Sequence, residues 1–252
     1  DRRTSMDFRF DIIYEYRWMF FYGALTTLGL TVVATAGGSV LGLLLALARL
    51  IHLEKAGAPM RALAWVLRKV SLLYVTLFRG TPLFVQIVIW SYVWFPFFVH
   101  PTDGLLINGD EAVEIRRSYG ALIAGSLALI ANSGAYICEI FRAGIQSIDR
   151  GQYEGAKVLG MNYPQTMRRI VMPQVIRRVL PPLSNEFITL VKDTSLIYVL
   201  ALNDLLRAAR GIVQRDFTIT PFIVAAVFYL LMTLLLTWMF QSLEKRYASH
   251  DA

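Results

Sequence analysis

Gly151-Gln-Tyr153-Glu154-Gly-Ala156-Lys157-Val-Leu-Gly160-Met-Asn162-Tyr-Pro164, running on to Ile170-Val-Met-Pro173, is a polar stretch set between two long apolar ones. Its residue order predicts local structure. Gln152 to Leu159 suits a short helix, and Gly160 suits the left-handed residue just past a helix end. Asn162 with Pro164 suits the start of a second helix that halts before Pro173. The product is a helix-turn-helix exposing Tyr153, Glu154 and Lys157, a rigid shape suited to a pocket on another protein. A charged connector between membrane spans is ordinarily only solvated, and the ordered spacing of the whole stretch argues against that reading.

Composition sets the class. Of 252 residues, 56% are hydrophobic and the mean hydropathy is +0.51, too apolar for an ordinary soluble domain, so one integral membrane domain is expected. The net charge of +7 lies mostly in short loops, where lysine and arginine set orientation, so nucleic-acid binding is not indicated. Cys138 lies inside a span and is expected to be a buried small hydrophobe, with no disulfide to make. His52, His100 and His250 lack metal-ligand spacing, so neither a metal nor a bound cofactor is expected. None of the five lysines is followed by Ser or Thr, so the chain has no phosphate-binding loop, and no convergent catalytic set marks it as an enzyme.

Five crossings are expected within a domain spanning residues 22–243. Residues 1–21 read as an interfacial anchor, because 11–22 mix charge with aromatics, and 1–17 interleave charges in a way no signal peptide does. Tyr22 to Ala48 holds 27 uncharged residues, roughly 40 Å of helix. The second span, Val70 to Val99, is interrupted by Arg79-Gly80-Thr81-Pro82, whose unpaired backbone must be re-satisfied by protein or water. Arg79 there either snorkels to the membrane edge or serves a subunit interface. Residues 100–118 are acidic, with turns at Asp103-Gly104 and Asn108-Gly109 and room for a small hairpin. The third span, Tyr119 to Cys138, has small residues at Gly120, Ala124 and Ala128 that permit close packing. Its Asn132 and Ser133 either line a path or bond a neighbouring helix, and Glu139 can pair with Arg142 at i,i+3. The fourth, Val179 to Asn203, carries Pro181-Pro182, Asn185, Glu186, Lys192, Asp193 and Thr194, groups that face a bundle interior, a wet cavity or an ion-pair partner. Asp204 to Arg215 reads as an amphipathic segment outside. The fifth, Phe217 to Phe240, is uncharged, and 244–252 form a tail. This scheme places 14 lysines and arginines inside and 9 outside, with the N-terminus outside and the C-terminus cytoplasmic.

Four phrases carry a family resemblance. Glu154-x-Ala156, Gly160 and, nine residues on, Ile170-x-x-Pro173 resemble the EAA loop of permease subunits of ATP-binding-cassette (ABC) importers. Gly155 stands where that family commonly has alanine, and Met172 where it has leucine. Phe78-Arg79-Gly80-Thr81-Pro82-Leu83-Phe-Val85-Gln86, Ala135-Tyr-Ile-Cys-Glu139-Ile-Phe-Arg142-Ala-Gly144 and Lys192-Asp193-Thr194-Ser195-Leu196 are similar to the polar amino acid branch. The resemblance implies an all-α type I permease of five transmembrane helices in a bacterial cytoplasmic (inner) membrane. Its implied partners are a second permease, identical or sibling, two ATPase subunits holding ATP and Mg, an extracytoplasmic solute-binding protein, an amino acid substrate and lipid. Tyr153, Glu154, Ala156, Lys157 and Gly160 (loop about 149–173) would couple to the ATPase. Asn132, Glu186, Lys192, Asp193 and Thr194 would line the substrate pathway, and Arg79, Gly80, Thr81 and Pro82 form the structural motif. The alternative is an ion-coupled secondary amino acid transporter, which would ordinarily be longer and carry internal repeats.

Overall fold

The computed structural model describes residue 9, residues 11–51 and residues 57–248. The rest of the expected anchor, the end of the tail, and His52, Glu54, Lys55 and His250 lie outside the described residues. The described elements are helical, and one isolated bridge, Val99 with Ile107, is the only β pairing among them. That bridge is parallel, so the hairpin expected in the acidic loop does not form among the described residues.

In chain order the helices are α1 (Asp11–Glu15), α2 (Arg17–Leu50), α3 (Ala58–Gly80), α4 (Leu83–Ile89), α5 (Phe95–Phe98) and α6 (Gly109–Gln146). They continue with α7 (Arg150–Val158), α8 (Tyr163–Thr166), α9 (Met172–Asp193), α10 (Leu205–Asp216) and α11 (Thr220–Ala248). Helices α2, α6 and α11 are long and apolar enough to cross a membrane, and α3 with α4 and α5 makes a fourth if that broken pair counts as one span. The expected fourth crossing falls on α9, which does not reach that apolarity because Arg177, Arg178, Glu186, Lys192 and Asp193 lie on it. Helix α2 runs unbroken through Tyr22, and α6 begins ten residues before Tyr119 because Gly109, at φ +67°, starts it after the turn.

Proline explains two irregular turns. Trp90–Trp94 and Met167–Val171 are π-turns, closed by Phe95 N–H donating to Trp90 O and Met172 N–H donating to Met167 O. Each is followed two residues later by a proline, Pro96 or Pro173. Proline lacks an N–H and its ring crowds the carbonyl four residues back; a locally wider turn relieves both defects. The second helix of the polar stretch thus does not halt before Pro173, contrary to expectation, and passes through a π-turn into α9.

The chain divides into two compact units. One comprises residues up to Ala34, Pro82–Leu129 and Thr189–Leu235. Its core sets Ile12, Tyr16 and Phe20 against Leu205, Ala209 and Ile212 of α10 and Val224 and Ala225 of α11. The chains cross closely there: a Cβ on Gly23 would lie 2.9 Å from Leu205 Cα. A second cluster joins Leu30, Ile87, Leu129, Leu190 and Ile197. The other unit comprises Thr35–Thr81, Ile130–Ile188 and the chain from Leu236 onward. In it α2 and α6 meet through small residues, as a Cβ on Gly42 would stand 2.8 Å from Cys138 N and 2.9 Å from Gly134 O. Such contact lets dispersion and backbone proximity hold helices where no hydrophobic drive separates protein from lipid. Cys138 is buried.

Candidate functional site: a capped turn and a mixed-charge cavity

The polar stretch belongs to the second unit, and its geometry follows from local hydrogen bonding. Asp149 caps α7, its carboxylate accepting from Gly151 N at 2.6 Å. At the other end Gly160 takes φ +72°, which glycine adopts without a Cβ penalty. Gly160 N–H donates to Lys157 O at 3.0 Å and Met161 N–H to Ala156 O at 3.0 Å, the paired bonds of a Schellman motif. Asn162 immediately caps α8 with a reciprocal box: its side chain accepts from Gln165 N at 3.0 Å, while Gln165 Oε1 accepts from Asn162 N at 2.9 Å. The N–H groups of Gly160, Met161, Asn162 and Gln165 are therefore all tied locally, which stiffens the turn.

Packing decides which side chains the corner shows. Ala156 is buried. Tyr153, expected to be exposed, is half-buried against the cluster of Ile148, Val171 and Val175, and that burial raises its phenol above the ordinary range. Glu154, Lys157 and Gly160 are exposed, together with Val158 at 86%, Leu159 at 77% and Tyr163 at 71%. The three apolar residues were not singled out from sequence. The available signal was their apolar character within an otherwise polar corner. Gln152 accepts from Gln174 Nε2 at 3.2 Å and braces α7 against α9.

The interrupted motif is also resolved locally. Helix α3 ends at Gly80, and Thr81 and Pro82 are extended, with Pro82 heading α4. Two of the carbonyls that α3 leaves open are taken up by side chains: Thr81 Oγ1 donates to Leu77 O at 2.8 Å, and Asn132 Nδ2 to Phe78 O at 3.4 Å. Asn132 is 5% exposed and thus bonds a neighbouring helix, one of the two roles open from sequence. The Arg79 guanidinium lies over the Tyr136 ring at 5.3 Å.

In the same unit Arg79, Tyr136, Glu139, Arg178, Asn185 and Glu186 line a cavity of about 630 Å³. Glu139 is held between Arg49 of α2 and Arg142, the latter at 2.6 Å, which realises the i,i+3 pair and adds a partner ninety positions away. Arg178 donates to Ser147 O. Arg79 and Glu186 thus meet here, joined by Arg178, Asn185 and Tyr136, which sequence reasoning had not gathered. In the other unit Lys192 is exposed, Asp193 is half-buried, and Thr194 is fully buried with its hydroxyl donating to Val191 O at 2.7 Å. Among the described residues no group of His, Cys, Asp and Glu could hold a metal ion.

Residues 38–249 match the family model described as "Binding-protein-dependent transport system inner membrane component". The glutamate/aspartate import permease protein GltK of Escherichia coli O6:H1 is 38% identical over 227 residues, covering 90% of this chain and 92% of the relative. The glutamine transport system permease protein GlnP of Escherichia coli (strain K12) is 32% identical over 242 residues, covering 96% and 98%. The crystal structure of an amino acid ABC transporter with histidines matches with a TM-score of 0.77 and 32% identity, over 96% of this chain and 100% of that one. The expected all-α type I ABC importer permease fold is the fold found. With the family model matching most of its length and relatives above 30% identity along nearly all of it, this chain belongs to the inner membrane components of binding-protein-dependent transport systems.

Proposed function

We propose that the chain is the permease subunit of a polar amino acid importer, moving its substrate by alternating access while a separate ATPase subunit supplies the energy. It is a multi-pass inner-membrane transport subunit and not itself an enzyme. In this reading the complex pairs two permeases, two ATPase subunits holding ATP and Mg, and an extracytoplasmic binding protein. The N-terminus lies outside and the C-terminus in the cytoplasm. The observation that carries the coupling proposal is the corner itself, a turn capped on both sides that exposes Glu154 and Lys157 beside Val158, Leu159 and Tyr163. Rigidity lets the corner transmit a push, and its apolar tip has area to bury in a partner's cleft. Closure of the ATPases then favours one state of the bundle by differential contact. Tyr153 and Ala156 act from beneath, fixing α7 on its own unit.

For the substrate, the mixed-charge cavity offers guanidinium groups of Arg79 and Arg178 for a carboxylate and Glu186 with Asn185 for an ammonium. Its volume falls within the usual range for small-molecule pockets. Lys192, Asp193 and Thr194 are further pathway residues in this reading, Thr194 through backbone order rather than direct contact. The test is ATP-driven uptake by the reconstituted complex with Glu154→Ala and Gly160→Asp. Loss of uptake with intact assembly supports the reading. Unchanged uptake in both variants removes the corner from the mechanism.

A further inference from the structure

A second, smaller cavity in the same unit has a cationic wall. It encloses about 310 Å³ between Arg49, at the end of α2, and Trp65, Arg68, Lys69 and Leu72 on α3. Arg49 is already committed to Glu139. Arg68 and Lys69 are not: among the described residues no carboxylate pairs with either. Lys69 instead lies 5.8 Å over the Trp65 ring, a contact that orients the ammonium without neutralising it. The surface beside these cations is apolar and open, with Trp65, Val66 and Leu72 all exposed on α3.

Two cations with no carboxylate partner among the described residues, beside an exposed tryptophan and leucine, suit one kind of ligand. A soluble anion gains nothing from the apolar margin, and a neutral lipid gains nothing from the charges. An acidic phospholipid brings both, a net-negative phosphate and acyl chains that begin within a few ångströms of it. Tryptophan favours this headgroup depth, and clustered basic residues on the cytoplasmic side attract anionic lipid. We infer that this cavity is a headgroup site for an acidic phospholipid. The phosphate lies on Arg68 and Lys69, and the glycerol and upper acyl chain lie along Trp65 and Leu72. Arg49, held by Glu139, shapes the inner wall. The assignment depends on the chain's being embedded in a membrane and is independent of the coupling corner.

The experiment uses the full chain in vesicles containing either brominated phosphatidylglycerol or brominated phosphatidylcholine. Bromine quenches tryptophan at short range, and subtracting the signal of Trp65→Phe isolates Trp65 among the five tryptophans. Phosphatidylglycerol is expected to quench Trp65 at lower lipid fraction than phosphatidylcholine, by about fivefold for each cation engaged. Arg68→Gln with Lys69→Gln should bring the two lipids to equality. Arg68→Lys, which keeps the charge, should retain the preference and so separates loss of the site from loss of the fold. Millimolar inorganic phosphate should leave the preference intact. Equal quenching by both lipids in the unmodified chain would overturn the site, and collapse of the preference under phosphate would overturn the lipid assignment in favour of a soluble anion.

Discussion

Replacing Gly160 isolates a single physical quantity, the cost of holding a side chain in the left-handed region. Its φ is +72°, and a Cβ built there meets nothing within 4 Å. No clash confounds the substitution, so the penalty is backbone alone, about 1 kcal/mol for alanine. Asparagine tolerates this region better and should cost under half as much, whereas valine, stiff at χ1, should cost more. A penalty of about 1 kcal/mol is roughly a fivefold shift between formed and frayed turn. The donors that report it are known: Gly160 N–H and Met161 N–H close the Schellman pair onto Lys157 and Ala156. Hydrogen exchange at residues 159–161 of the purified chain should therefore quicken about fivefold in Gly160→Ala, about twofold in Gly160→Asn and most in Gly160→Val. In the reconstituted complex, ATP-driven uptake should fall in that same order. If Gly160→Ala exchanges like the parent, the turn does not depend on this residue's conformation. If exchange shifts while uptake stays constant across the series, rigidity of the corner is irrelevant to coupling.

Other substitutions test separate links. Gly155 is exposed with open space around its missing Cβ, so Gly155→Ala should stabilise α7 by about 1 kcal/mol. Slower exchange along α7 with uptake preserved is the expected pair of results. Gly42→Ala should destabilise the second unit by about 1–3 kcal/mol, because its Cβ would strike the backbone of α6 at 2.8 Å and cannot be relieved by a rotamer change. Gly29→Ala, also inside α2 but with nothing within 4 Å, should instead stabilise its helix by about 1 kcal/mol, and the opposite sign makes it the control for the clash. Asp204 caps α10 while fully buried, and burial pushes its carboxyl from 3.8 up to about 6. The folded state then binds the proton more tightly than the unfolded state, so stability falls as pH rises from about 4 through about 6, by roughly 3 kcal/mol in all. Asn caps as well as Asp without the charge. Asp204→Asn should thus raise the melting temperature at pH 7.5 and flatten the pH response between those limits, as differential scanning fluorimetry would read.

Much of the architecture was legible because it is local or compositional. Uncharged runs long enough to cross a bilayer announce α2 and α11 whatever they pack against, since hydrocarbon demands that backbone groups be satisfied within the segment. Gly160, Asn162 and Pro164 announce their turn for a similar reason, because each acts on backbone atoms within five positions. The resemblance of the four phrases carried the rest of the functional expectation. Where the reading failed, a neighbour had intervened. Pro173 read as a stop, but a π-turn upstream absorbed it. Tyr153 read as exposed, but Val171 and Val175 drew it inward.

A helical membrane chain with a capped polar corner can be read from neighbouring residues, because apolar length and capping chemistry are properties of contiguous stretches. Folding alone sets which faces of that corner are buried and makes Val158, Leu159 and Tyr163 its exposed tip. It likewise decides that Glu139 is shared between Arg49 and Arg142, and that Asp204 is a buried cap. The reason is the same in each case: exposure and pairing depend on residues far away in the chain, which contiguous spacing does not encode.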